Sequence, residues 1–389
     1  MEEKQKKTRI KTILHIIWKF IKRAFKKIQP SLIAVAIGLL AGIIVMLIFN
    51  PERTLWGFGK LLLGGFAFTT SPIRGFGNSL HQATPIILTG LAIVFAFRTG
   101  LFNIGTPGQM MIGAYVAVHV GVTMSLAAPW HWIIGITLGM IAGGLYGLIP
   151  GLLKAFRNVN EVVSSIMLNW IAANLLVFLI GKFVLAPSGG ASANIKSTAQ
   201  MPFLMRSVFN NSQLTIGFLI AIVAAIIVHI ILYKTTLGFQ LRASGFSVEG
   251  SKYAGMNTRR NIILAMTISG MLAGLAGAVL YSTVGKTIPR TVTIFSEGFE
   301  GISVALLGLG EPIGAIFAGL FLSHIKLGGN YMQPHFVREI TDMIIGVIIY
   351  STAISIGLQL ALQKNKEKIK AFFKRKKEAR MKRKEVVDK

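Results

Sequence analysis

The 389-residue chain is 53% hydrophobic and only 14% charged, with a mean hydropathy of +0.63, which excludes a soluble domain of this length and points to a polytopic membrane protein. Most of its net charge of +27 sits at its ends: residues 1–30 carry +8 and residues 364–389 carry +9. That pattern follows the positive-inside rule rather than nucleic-acid binding, and the absence of cysteine excludes disulfide and thiolate chemistry.

In chain order, residues 1–30 form a basic N-terminal segment. Its apolar residues fall at 10, 13, 14, 17, 21, 24, 25 and 28, an amphipathic helix suited to the anionic inner leaflet. A transmembrane region follows over 31–362, and a basic tail over 363–389. Residues 31–49 are apolar and long enough to span, with no small-residue cleavage site, so they read as an uncleaved anchor. Residues 51–83 read as an external segment with a short helix around 55–68.

Two apolar arms, 84–104 and 108–126, flank Gly100, Gly105, Pro107 and Gly108. Four such residues within nine predict an interrupted hairpin at membrane depth, where protein or a wet route must satisfy the freed backbone. A tight cytoplasmic turn between two ordinary spans is the other reading. The span over 133–153 carries Gly139, Gly143 and Gly147 on one face, a stripe for close helix packing. In the next span Glu161, Ser165 and Asn169 form a polar stripe. Asn158 and Glu161 also have capping-box spacing, so Glu161 either caps its helix or faces the route.

Residues 186–213, rich in Ser, Gly, Asn and Pro, read as the largest external loop. A span over 214–233 returns to a basic cytoplasmic loop, 234–260. The next span, 262–281, repeats the glycine stripe at 270, 274 and 277. Glu297 and Glu300 then stand one turn apart at a helix start, two of only seven acidic residues between Arg53 and Gln363. Acid there either compensates the helix dipole or marks a transport path. A second break, 308–312, precedes the spans 313–326 and 339–362. Ten crossings result, with both termini cytoplasmic. The class is therefore all-α, with interrupted helices and two halves of five spans that suggest an inverted repeat.

Four regions carry a family resemblance. Gly100-Leu-Phe-Asn-Ile-Gly105, followed by Gly108-Gln109, resembles Gly-Leu-Phe-Asn-Ile-Gly-Ala-Glu-Gly-Gln, with Thr106 and Pro107 departing from it. Asn160-Glu161-Val162 with Met167-Leu-Asn169-Trp-Ile-Ala172 resembles a second signature, and Gly298 to Gly308 a third, with Glu300 replacing Asp. Arg242-Ala-Ser-Gly245-Phe-Ser247-Val-Glu249 to Tyr253-Ala-Gly255 resembles a cytoplasmic loop of the same proteins, with Ser247 and Val248 in place of Asn-Pro. These are the marks of permease subunits of bacterial ABC importers in the nucleoside and simple-sugar branch, the branched-chain-amino-acid and ribose type, closest to nucleoside permeases.

The resemblance implies a bacterial plasma-membrane subunit that works by alternating access. Its partners would be an ABC ATPase subunit, a second related permease and an extracytoplasmic substrate-binding lipoprotein, and its solute a nucleoside or a simple sugar. The residues implied beside the path are Asn103, Gln109, Asn169 and Glu300. Those implied in the ATPase coupling loop are Arg242, Gly245, Ser247, Glu249, Tyr253 and Gly255. The chain lacks a phosphate-binding Gly-x-x-x-x-Gly-Lys-Ser/Thr loop, so ATP hydrolysis is expected in a separate subunit, with no enzymatic activity, cofactor or metal here. Two rival readings are an ion-coupled transporter using Glu300 or Asp342, and a membrane anchor with basic tails.

Overall fold

The computed structural model describes residues 29, 31–68, 71–333, 335–352 and 354. The amphipathic stretch expected over residues 10–28 and the basic tail over 363–389 lie outside them. Among the described residues the fold is helical, with three isolated bridges in loops and no extended strand. The helices are α1 (Ser31–Phe49), α2 (Thr54–Leu63), α3 (Pro72–Arg98), α4 (Thr106–Thr123), α5 (Trp130–Arg157), α6 (Glu161–Phe183) and α7 (Gly217–Lys234). After them come α8 (Thr236–Phe246), α9 (Val248–Tyr253), α10 (Thr258–Tyr281), α11 (Ser296–Leu307), α12 (Pro312–Asn330) and α13 (338–352). Seven of these, α1, α3, α5, α6, α7, α10 and α12, are long and apolar enough to cross a bilayer.

The chain divides into two units. Met1–Val45 with Met343–Lys389 forms the smaller, in which Gly42 stands against Ile344 and Gly38 against Ile348. Met46–Asp342 forms the larger. At its centre α3 is almost wholly enclosed, surrounded by α7, α10, α11 and α12. Ser71 caps α3 by accepting from the Arg74 amide at 3.3 Å, and Pro72 occupies its first turn, where a missing N–H costs nothing.

The glycine stripes do what their spacing predicts. A Cβ at Gly143 would stand 2.5 Å from Gly274 Cα and 2.6 Å from Gly270 O, and one at Gly139 would stand 2.6 Å from Gly113 O. The backbones of α4, α5 and α10 therefore meet directly, an approach that only small residues permit.

Three sequence expectations are corrected. The arms around the first break do not form a hairpin: α3 and α4 scarcely touch, because the glycine stripes draw α4 onto α5 and α10. The span read over 297–308 is not a full-length helix, since the 12 residues of α11 rise only about 18 Å against roughly 30 Å of hydrocarbon. The capping box at Asn158 and Glu161 does not form either. Asn158 is spent ending α5, in the left-handed region at φ 51°, and Asn160 caps α6 instead, accepting from the Val162 amide at 2.8 Å. Glu161 pairs with Lys154 at 3.0 Å.

Candidate functional site

The first break begins where α3 ends at Arg98. Gly100, at φ 75°, reverses the chain, and the Leu101 amide closes the end by donating to Ala96 O at 3.0 Å. The segment then runs back along α3. Asn103 Nδ2 donates to Ser269 Oγ at 2.7 Å, and Ser269 Oγ donates to Ala92 O at 2.7 Å. Ala92 lies six residues before Arg98, about 9 Å along the helix. Non-helical backbone thus stands at membrane depth, where every freed polar group needs a protein partner or water.

Side-chain amides supply those partners. Asn103 Oδ1 accepts from the Gly105 amide at 3.0 Å, while its Nδ2 also donates to Gln109 Oε1 at 2.8 Å. Asn169, reaching over from α6, does two jobs. Its Oδ1 accepts from the Gly108 amide at 2.9 Å, and its Nδ2 donates to Ile104 O at 3.0 Å. The Gly108 amide is one of the first-turn donors that a helix leaves without a partner, so α6 caps α4 from outside. Asn103, Gln109 and Asn169 are brought together in one joint, each no more than 1% exposed.

At the Arg98 end the two breaks meet. Leu309 and Gly310, both at positive φ, turn the chain between α11 and α12. Arg98 grips this turn from α3, donating to Gly310 O at 2.6 Å, to Leu309 O at 3.3 Å and to Glu311 Oε1 at 2.7 Å. The other oxygen of Glu311 accepts from Tyr233 Oη at 2.7 Å, and the Arg242 guanidinium covers the Tyr233 ring at 5.0 Å. The loop from α8 to α9 is joined to this cluster. A Cβ at Gly245 would stand 2.6 Å from the Thr99 carbonyl carbon and 2.7 Å from the Gly100 amide, so α8 rests on the first break itself. Ser247 caps α9 by accepting from the Gly250 amide at 3.0 Å, Glu249 occupies its first turn and pairs with Lys252 at 3.3 Å, and Gly255 ends the turn at φ 76°. On the outer side Phe246 and Tyr253 are 97% and 93% exposed.

Glu300 lies elsewhere. It sits on α11 in an ion pair with Lys326 of α12 and lines a cavity with His81 and Asp342. Lys326 is fifteen residues beyond Glu311 on α12, which puts the cavity about 22 Å from the Arg98 cluster.

Residues 75–353 match the family described as branched-chain amino acid transport system / permease component. The chain belongs to this permease family. It is 38% identical to the guanosine ABC transporter permease protein NupP of Bacillus subtilis (strain 168), over 90% of this chain and 99% of that protein. It is 34% identical to the nucleoside ABC transporter permease protein NupB of Lactococcus lactis subsp. cremoris, over 88% and 94%. A second Bacillus subtilis protein, the guanosine ABC transporter permease protein NupQ, is 30% identical over 62% of this chain and 77% of its own length. No solved structure matches the chain.

Several members of this permease's clusters escape a reading of the sequence. Arg98 and Glu311 are lone opposite charges, each beside a glycine break, and that symmetry was the available signal. Tyr233 and Ser269 carry no such mark, because their hydrogen-bond partners come from distant parts of the chain.

Proposed function

We propose that this permease is the membrane-spanning subunit of an ATP-driven importer of nucleosides, working by alternating access with its termini in the cytoplasm. The similarity to NupP and NupB over nearly their whole lengths supports the solute class. NupP and NupQ are two distinct guanosine ABC transporter permease proteins of one organism, which supports a related second permease as the partner. An extracytoplasmic binding protein delivers the solute, with the loop over 186–213 as its landing surface.

The observation that carries the coupling role is the α8–α9 element. One side of it rests on the Gly100 turn through Gly245, and the other presents Phe246 and Tyr253 uncovered. Two aromatic side chains left bare on a polar loop fit a protein surface, here the ATPase. Arg242, Gly245, Ser247, Glu249, Tyr253 and Gly255 form the coupling set. Asn103, Gln109 and Asn169 form a sealed joint beside the path in this conformation, and Glu300 lines its open part.

Replacing residues 247–255 with a Gly/Ser linker of equal length keeps Arg242, Arg259 and Arg260, and with them the topology. ATPase co-purification and nucleoside uptake into proteoliposomes should both be lost. Parental uptake with the linker in place would refute the coupling role. Parental uptake without any ATPase would instead favour an ion-coupled carrier.

A further inference from the structure

The cavity beside Glu300 has a volume of about 140 Å³ and is walled by α3, α11, α12 and the start of α13. It holds three cations, Lys286, Lys326 and Arg338, against three carboxylates, Glu297, Glu300 and Asp342, so it favours no net charge on its occupant. Its walls also hold polar groups with nothing to bind. Among the described residues both ring nitrogens of His81, the Thr341 hydroxyl and Glu300 Oε2 are buried without a hydrogen-bond partner. His81 and Thr341 are only 6% and 3% exposed. Leaving such groups unpaired is costly, and several of them around one cavity mark a place where a polar guest completes the bonding.

The kind of guest follows from the groups. A neutral imidazole offers one donor and one acceptor, a threonine hydroxyl offers both, and a carboxylate oxygen only accepts. Lys326 is already engaged by Glu300, so the free capacity matches hydroxyl groups, which donate and accept, better than an anion. The volume is well below the roughly 300–1,000 Å³ of sites that engulf a whole small molecule. A second hollow of about 280 Å³ shares Glu300, Lys326, Arg338 and Asp342 with it, so one end of a nucleoside fits among the unpaired groups, and the hydroxylated end is the pentose. We propose that His81, Glu300 and Thr341 bind the vicinal hydroxyls of the pentose as the solute passes, an inference that rests on the nucleoside reading above.

The test uses the complete importer in proteoliposomes with its own binding protein, and labelled adenosine and 2′,3′-dideoxyadenosine as probes. The variants are Thr341→Val and His81→Phe, which remove the unpaired groups at similar volume. Because those groups have no protein partner, both variants should melt at or above the parental temperature. Adenosine uptake should fall about tenfold, the size of one lost hydrogen bond, while dideoxyadenosine uptake holds, so the parental preference for the hydroxylated probe collapses. The binding protein is common to all arms, so a changed preference belongs to the permease. If the variants keep the parental preference, the pentose site is refuted while nucleoside import stands. If the parental importer carries neither probe, or carries labelled leucine instead, the nucleoside reading falls and the pentose site with it. Should His81→Phe fail to assemble, Thr341→Val decides alone.

Discussion

Replacing Asn169 with alanine should destabilise the permease out of proportion to the atoms removed. The side chain is 1% exposed and makes two hydrogen bonds, one from the Gly108 amide at 2.9 Å and one to Ile104 O at 3.0 Å. Both partners belong to the buried break, so Asn169→Ala strands a donor and an acceptor together. Each stranded group costs about 1–3 kcal/mol, giving about 4 kcal/mol for the pair. At about 2 °C per kcal/mol for a chain of this size, the melting temperature should drop by about 8 °C. A control lies five residues along the same helix. Asn174 Nδ2 donates to Trp170 O at 2.8 Å on an exposed surface, and Asn174→Ala should cost no more than about 0.5 kcal/mol. The assay is thermal unfolding of the two purified variants in the same detergent. If they melt within about 1 °C of each other, the break does not depend on α6 for its hydrogen bonds, and the account of the joint fails.

Gly143→Val should be among the most damaging changes in α5, because its Cβ would stand 2.5 Å from Gly274 Cα and 2.6 Å from Gly270 O, backbone atoms that cannot swing aside. A loss of about 3 kcal/mol or more in unfolding, or failure to accumulate in the membrane, is the expected outcome. Gly245→Val should part α8 from the first break, since Thr99 and Gly100 backbone lies 2.6 and 2.7 Å from the new Cβ; uptake should fall at least tenfold while the ATPase still co-purifies. Glu311→Gln separates mechanical from structural roles. With side-chain exposures of 31% for Arg98 and 42% for Glu311, the ion pair is worth no more than about 1 kcal/mol of stability, so melting should hardly move while uptake measured in proteoliposomes drops severalfold.

What the sequence discloses depends on how local the physics is. Ser247 and Glu249 predict the capped α9 because a cap is made within three residues, and it forms as read. Glycine spacing predicts a close-packing face on α5 and on α10 for a similar reason, since a stripe of missing side chains has one structural use in an apolar body; that the two faces meet each other is visible only in the structure. The first break is legible because Gly and Pro interrupt an apolar run, but the groups that satisfy it are not. Asn169 is 61 residues from Gly108, and Ser269 is 166 from Asn103, and nothing in either neighbourhood marks the pairing. The capping box misleads because α5 and α6 are separated by only three residues, and both helices compete for the intervening asparagines. The reading of 297–308 as a full-length span errs because the apolar pattern carries no information on how deep in the bilayer α11 begins.

That depth bears on how the two ends of the permease communicate. α11 is fastened to α3 at both of its own ends. At the start, Thr89 Oγ1 of α3 donates to Glu297 O at 2.9 Å; just past the finish, Arg98 of α3 holds the carbonyls of Leu309 and Gly310. Between these points Gly301 lies against the backbone of Thr89 and Gly90, and the Val304 side chain packs onto Gly90, so the two helices approach closely along the contact. A helix of 12 residues held this way moves as a body rather than bending, because its hydrogen bonds are internal and its ends are fixed. Glu300 rides on the same helix. A displacement of the Arg98 turn, which α8 touches through Gly245, therefore reaches the cavity floor without crossing any flexible segment. Of the contacts along that line, the Arg98–Glu311 pair is the one made of side chains alone and partly open to solvent, and so the one that can be released and remade at least cost.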